Sequence, residues 1–380
     1  MKLIGKIKKS GICVLRCFSY DGHVDIPERM HGLRVEELGA YAFANVVRGL
    51  DRNGAGFSGA RQEEAGDFFI WQDDGGDDKE ERAERKEEGK DGEEQGEAGS
   101  EGWKVCSEEV CREILFLDAL EDGTPAVRGS ALYAISLPEG LTKIGAYAFY
   151  QCENLEKIAF FSRISDLGAG LFTGCHGVRE LDVQNVPGEK SCLKEVLAEL
   201  KQTLRVNLRD EKGRSEARLI FPEYFEESIE NTPARILTQE MHGCGHRYRN
   251  AFSGTELQFS VYDKLFLHLQ VQEGTGMATE LALGRLCFPL QLSDERKAAY
   301  ETYVAEHGRE VVRLALLQQE ETEEILRFVG QAAWCSRECL EEMLDEAGQR
   351  KHPQAAGILM EFYRRKGRER EGGRKSWLIL

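Results

Sequence analysis

No window of the 380 residues approaches the roughly 18 apolar residues that a membrane-crossing helix requires. The opening stretch MKLIGKIKKSGICVLRCFSY carries lysines, but Arg16 breaks its apolar run and no small-residue cleavage pattern follows. A soluble, cytoplasmic chain without membrane contact is therefore expected. A Gly-x-Ser-x-Gly elbow and a phosphate loop ending in Lys-Ser/Thr are both missing, which removes the commonest hydrolase and nucleotide signals. No cofactor is expected. The eleven cysteines lack the dense, regular spacing of a disulfide-stapled secreted domain and read as reduced thiols.

Positive charge is also scarce. The chain has 67 acidic and 50 basic residues, a formal net charge of −17. Residues 73–102 hold 14 acidic and 5 basic residues, which leaves the remainder at −8 without the basic stripe that attracts nucleic acid or anionic lipid. Nucleic acid is thus not an expected partner.

What the chain does have is repetition. GAYAF stands at 39–43 and again at 145–149. From 141 onward a period of 23 brings Ile144 to Leu167, Gly145 to Gly168, Phe149 to Phe172, Cys152 to Cys175, Leu155 to Val178 and Ile158 to Leu181. Carried backwards, the same frame takes in Leu132, Ile135 and Leu137, so 132–183 holds a little over two periods. A unit this short cannot bury its own apolar face and must stack on a copy of itself, which predicts a solenoid. Alternation in LEKIAF and VRELDV predicts one short strand per coil with one buried face. The outward residues then fall in two columns: Ala134, Lys157 and Glu180 in one, Ser136, Ala159 and Asp182 in the other. These six are the expected binding surface, and Cys152 and Cys175 are expected to stack inside as small hydrophobes.

The segment LPEGLTKIGAYAFYQCENLEKIAF, 137–160, resembles the BspA-like class of bacterial leucine-rich repeats at Pro138, Gly145, Ala148, Phe149, Cys152 and Leu155. The next coil departs from that pattern, with Phe161 for the proline and Leu171 for the alanine. HVDIPERMHGLRVEELGAYAF, 23–43, looks like a first coil with a longer loop, so GAYAF occurs twice because both copies are coils of one array. The intervening 51–102 is glycine-rich and charged, too apolar-poor to offset ordering entropy, and is expected to be disordered. Its apolar island DFFIWQ, 67–72, is either a docking peptide or a segment folding back on the solenoid.

Beyond the repeats, 191–204 has helical spacing, RVNLRD and ARLIFP flank a hairpin turn at Gly213, 221–254 is polar and irregular, and 259–270 is amphipathic. GTGMATELALGR, 274–285, reads as a turn into a helix. From Ser293 the pattern is helical, and Val311 with Leu344, and Ile325-Leu326 with Ile358-Leu359, recur at 33 residues, the spacing of ankyrin repeats; an antiparallel bundle is the competing reading. The middle and tail also look similar to the C-terminal regions of uncharacterised cytoplasmic leucine-rich repeat proteins of Firmicutes-type bacteria.

The expected fold class is therefore a multidomain α+β protein: a leucine-rich-repeat β-solenoid, an α+β middle cap and C-terminal helical, ankyrin-like repeats. The expected boundaries are a first coil with its cap at 1–50, the insertion at 51–102, the solenoid at 103–190, the cap at 191–292, the helical repeats at 293–370 and a tail at 371–380.

One motif could hold a metal. His242, Cys244 and His246 stand at alternate positions, and on an extended strand all three would share a face, a ligand set that suits zinc or copper. No fourth ligand stands near in sequence, so hydrogen-bonded loop residues are the favoured reading. The close cysteines 13/17, 106/111 and 335/339 lack Cys-x-x-Cys spacing and read as ordinary thiols. The functional expectation is a non-enzymatic protein-interaction module or scaffold with a protein partner; the alternative is a metal-binding protein or Cys/His enzyme centred on 242–246.

Overall fold

The computed structural model describes residues 1–45, 68–73, 104–106, 117–231, 236–318 and 321–375. The expected disorder of 51–102 thus lies outside the described residues, apart from 68–73, as does Cys111 of the 106/111 pair. The chain divides into two compact units, Met1–Arg179 with Gly188–Leu200 and Glu180–Pro187 with Lys201–Leu380.

In the first unit the strands are β1 (Lys2–Ile7), β2 (Ile12–Phe18), β3 (His23–Asp25), β4 (Arg29–Met30), β5 (Leu33–Leu38), β6 (Phe68–Gln72), β7 (Lys104–Cys106), β8 (Ala134–Ser136), β9 (Lys143–Ile144), β10 (Lys157–Phe161) and β11 (Asp166–Leu167), with one helix, α1 (Leu193–Glu199). They form the two walls of a β-solenoid. One wall runs β11-β9-β5-β2-β1-β6-β7, with β4 paired to β5; in the other, β3, β8 and β10 are parallel. The hairpin β1–β2 begins the first wall, and β2 joins β5 in parallel. The apolar island is β6, which folds back as an antiparallel neighbour of β1 and buries Phe68 and Phe69.

The two GAYAF segments lie directly one on the other. Tyr41 N donates to Ala146 O at 3.1 Å, Phe43 N to Ala148 O at 2.8 Å and Asn45 N to Tyr150 O at 2.9 Å. The next coil repeats this with Tyr147 N to Ala169 O, Phe149 N to Leu171 O and Gln151 N to Thr173 O. Inside, Phe43, Phe149 and Phe172 stack with centroids 5.8 and 5.5 Å apart, and the thiols of Cys152 and Cys175 donate to Phe43 O and Phe149 O. Each fully buried phenylalanine contributes about 1.5–3 kcal/mol of burial energy. The repeated glycine is a spacing requirement: a Cβ on Gly145 would lie 2.3 Å from Ala40 N, and one on Gly168 2.2 Å from Ala146 N. Two residues later each coil turns through positive φ, at Tyr41, Tyr147 and Gly170.

The second unit contains β12 (Glu180–Gln184), β13 (Leu204–Arg209), β14 (Ser215–Phe221), β15 (Phe225–Asn231), β16 (Ile236–His242), β17 (Phe252–Ser253) and β18 (Glu256–Leu257). Its helices are α2 (Gly245–Arg249), α3 (Phe259–Lys264), α4 (Phe266–Gln272), α5 (Thr275–Cys287), α6 (Asp294–Glu306), α7 (Gly308–Leu317), α8 (Thr322–Gln331), α9 (Arg337–Gln349) and α10 (Pro353–Lys375). β12 and β13 are parallel, and β14 turns back antiparallel through Gly213. The edge of β14 is closed by Tyr262, whose hydroxyl accepts from Ile220 N and donates to Ile220 O, both at 2.8 Å. The polar stretch read as irregular instead forms the hairpin β15–β16. The helix expected over 191–204 is only α1, because Leu204 already begins β13.

Charge organises this unit's interior. Arg285 and Asp263, both fully buried, form a bidentate pair at 2.9 and 3.1 Å; Tyr300 donates to the same carboxylate at 2.8 Å, and Arg285 also donates to Leu290 O. Such pairs hold only when their remaining hydrogen-bonding groups are satisfied, as here. Burial pushes the Tyr300 phenol far above its usual pKa. In the helical part α7 packs on α9 and α8 on α10, with Gly308 close to Cys339 O and Gly330 beneath the ring of Phe362. Arg313 and Arg350 both donate to Glu346, which is buried.

Candidate functional site

In the three parallel strands of the solenoid wall the central residues Val24, Ile135 and Ile158 are buried, so their neighbours face outward. The register places His23, Ala134 and Lys157 in one row and Asp25, Ser136 and Ala159 in the next. The middle of this face is made of alanine and serine, so the backbone there lies open to close approach. At its rim the exposed Tyr133 stacks on His23 with centroids 6.2 Å apart. Asp21 accepts from His23 N and lies 2.9 Å from its Nδ1, and these bonds hold the exposed Asp21 carboxyl below its usual pKa.

Four of the six expected surface residues, Ala134, Ser136, Lys157 and Ala159, share this face. Glu180 and Asp182 lie in the other unit, where β12 pairs them with Arg205 and Asn207. There Asp182 accepts a bidentate pair from Arg209, with Nη2–Oδ2 at 2.8 Å, and holds that guanidinium above its usual pKa. Arg205 in turn grips Glu280 of α5. Asp182 is thus already engaged within its own unit. His23 and Asp25 are the residues that reading the sequence missed. The signal was present: with Ile26-Pro27 set against Leu137-Pro138, counting back three residues aligns His23 with Ala134.

The His242, Cys244 and His246 motif does not converge. The strand that would align them ends at His242, Gly243 turns through φ +84°, and α2 begins at Gly245. His242 stacks on Phe225 at 4.6 Å and lies 3.2 Å from Glu227; His246 packs against Tyr224 and Asn250. Cys244 is buried with its thiol directed at Glu273, and burial together with that carboxylate pushes its pKa up to about 12. A thiol so raised is a poor nucleophile and a poor ligand at neutral pH. Among the described residues no three His, Cys, Asp or Glu side chains are grouped to hold a metal ion. Cys13, Cys17, Cys335 and Cys339 are buried thiols.

Stacked coils, a phenylalanine ladder and parallel strands define this region as a leucine-rich-repeat solenoid. Residues 124–196 match the family model of the BspA type leucine rich repeat region (6 copies), a segment of about a fifth of the chain. No curated protein and no solved structure matches the chain. Among the described residues no helix is long and apolar enough to cross a membrane.

Proposed function

We propose that the protein is a non-enzymatic interaction module that engages a protein partner through the outward face of β3, β8 and β10. One observation carries this reading: a floor of Ala134, Ser136 and Ala159 is flanked by the aromatic Tyr133–His23 stack. Small residues beside an exposed aromatic ring suit a bulky partner side chain, the usual anchor of a protein interface. The helix pairs α7–α8 and α9–α10 we read as an ankyrin-like support, since α7 meets α9 and α8 meets α10. The separate centring of His242, Cys244 and His246 argues against the metal or Cys/His alternative.

The test fills the floor. Ala134→Arg combined with Ala159→Arg should shift folding stability by less than about 1 kcal/mol, a surface effect, yet remove the proteins captured by the wild-type chain in affinity purification. Capture unchanged by this pair of substitutions would refute the assignment of the face.

A further inference from the structure

The hairpin β15–β16 stands as a sheet of two strands. Two strands alone are marginal in water, and a third strand or a covering layer is what ordinarily stabilises them. The base of this hairpin is open on both sides: Phe225 and Glu226, neighbours on opposite faces, are exposed, as are Glu240 and Met241 on the other strand. Among the described residues β16 has one neighbour, β15, so its outer edge offers backbone N–H and C=O groups that no strand engages. The two outer edges of the hairpin are chemically unlike. β15 carries Glu226, Glu227 and Glu230, the kind of charge that keeps one sheet edge from joining another. β16 reads ILTQEMH, with Glu240 as its single carboxylate and neither proline nor lysine to block pairing.

What can join the β16 edge follows from its register with itself. A second copy added antiparallel about a two-fold axis normal to the sheet keeps each face continuous only when one residue lies opposite itself. All seven residues overlap when that residue is Gln239, which sets Ile236 opposite His242, Leu237 opposite Met241 and Thr238 opposite Glu240. No like charges oppose one another, and the apolar match of Leu237 with Met241 occurs twice. The two copies of Glu240 meet only on the diagonal, about 7–8 Å apart. The same operation on β15, centred on Ser228, would set Glu226 opposite Glu230 twice, and like charges directly opposite are destabilising. We infer that the protein forms a homodimer in which β16 pairs antiparallel with β16 of a second copy, making one four-stranded sheet in the order β15-β16-β16-β15. This contact lies wholly in the second unit and stands independently of the proposal for the solenoid face.

The experiment is sedimentation velocity of the full-length protein at low salt, where screening is weakest, over about 1–100 µM. A reversible equilibrium between monomer and dimer is expected. Gln239→Lys and Gln239→Glu each set like charges opposite one another across the two-fold axis and should weaken the dimer at least about tenfold. An equimolar mixture of the two variants opposes lysine to glutamate and should restore it. Ser228→Lys, on the other strand, should leave the dissociation constant within about threefold of wild type. Thermal melting confirms that each variant is folded, and the mixture separates a lost contact from a lost fold. A chain that stays monomeric over this range, a dimer indifferent to both Gln239 substitutions, a mixture that restores nothing, or loss of the dimer in folded Ser228→Lys would each overturn the inference.

Discussion

The outward face of β3, β8 and β10 and that of β12 and β13 are each built on parallel strands, yet they are chemically unlike. In the first, the middle positions are Ala134, Ser136 and Ala159. In the second, acidic Glu180 and Asp182 on one strand face Arg205, Asn207 and Arg209 on the next, and Asp182 is taken up by Arg209. The same strand position can therefore offer a surface or consume itself in internal pairing, and a repeat period does not say which. The interiors differ in the same sense: a stacked phenylalanine ladder holds the first unit, and a buried Arg285–Asp263–Tyr300 network holds the second.

The largest effects should be equal in size and opposite in chemistry. Phe149→Ala removes a fully buried ring from the middle of its stack and should destabilise the first unit by about 3–5 kcal/mol. Asp263→Ala leaves Arg285 buried without its counter-ion and should cost the second unit a similar about 3–5 kcal/mol. Denaturant unfolding followed by hydrogen exchange, which reports each unit separately, checks both. Loss of protection spread equally over the two units by either variant would dissolve the contrast between them.

An intermediate effect is acid-dependent and confined to the helical part. Hydrogen bonds from Arg313 and then Arg350 lower the Glu346 pKa to about 2 in the folded protein. Because this is below the ordinary unfolded value of about 4.3, its stabilisation is complete above that value and disappears as pH falls towards 2. Glu346→Gln should flatten this part of the stability–pH curve for α7 and α9. The phenylalanine ladder, having no charge, should leave the solenoid's curve unaffected by Phe149→Leu.

The smallest effect sharpens the comparison of the two faces. A double-mutant cycle on Asp182→Ala and Arg209→Ala should give a coupling of no more than about 1 kcal/mol, as for other partly exposed pairs. Zero coupling would mean that the β12 face is as open as the other.

The solenoid was largely legible in the sequence because each buried position repeats at 23 residues, and even the first coil showed through GAYAF. The cysteine ladder followed from the same arithmetic. The pairing of Asp182 could not be read from the period, because its partner Arg209 lies outside it, on a strand that follows a helix. Alternation at His242, Cys244 and His246 argues for one face only while the backbone remains extended, and Gly243 ends that condition. The β15–β16 hairpin escaped notice because cross-strand pairing is not visible in a polar stretch without clear alternation.

The direct stacking of 39–45 on 145–151 also separates chain length from architecture. Gly129, far along the sequence from Asn45, donates its amide to Phe43 O. Closing a loop costs free energy only as the logarithm of its length, about 0.6 kcal/mol for each doubling. Added length between Asn45 and Gly129 that leaves β6 and β7 intact should therefore be nearly neutral for the finished fold. Its cost is in time: coils adjacent in sequence, at 134–152 and 157–175, can assemble through local contacts, whereas the first coil must wait for a long-range closure. Contact order therefore predicts that the amino-terminal coil is laid down last, which pulse-labelling hydrogen exchange during refolding would show as late protection of 35–44.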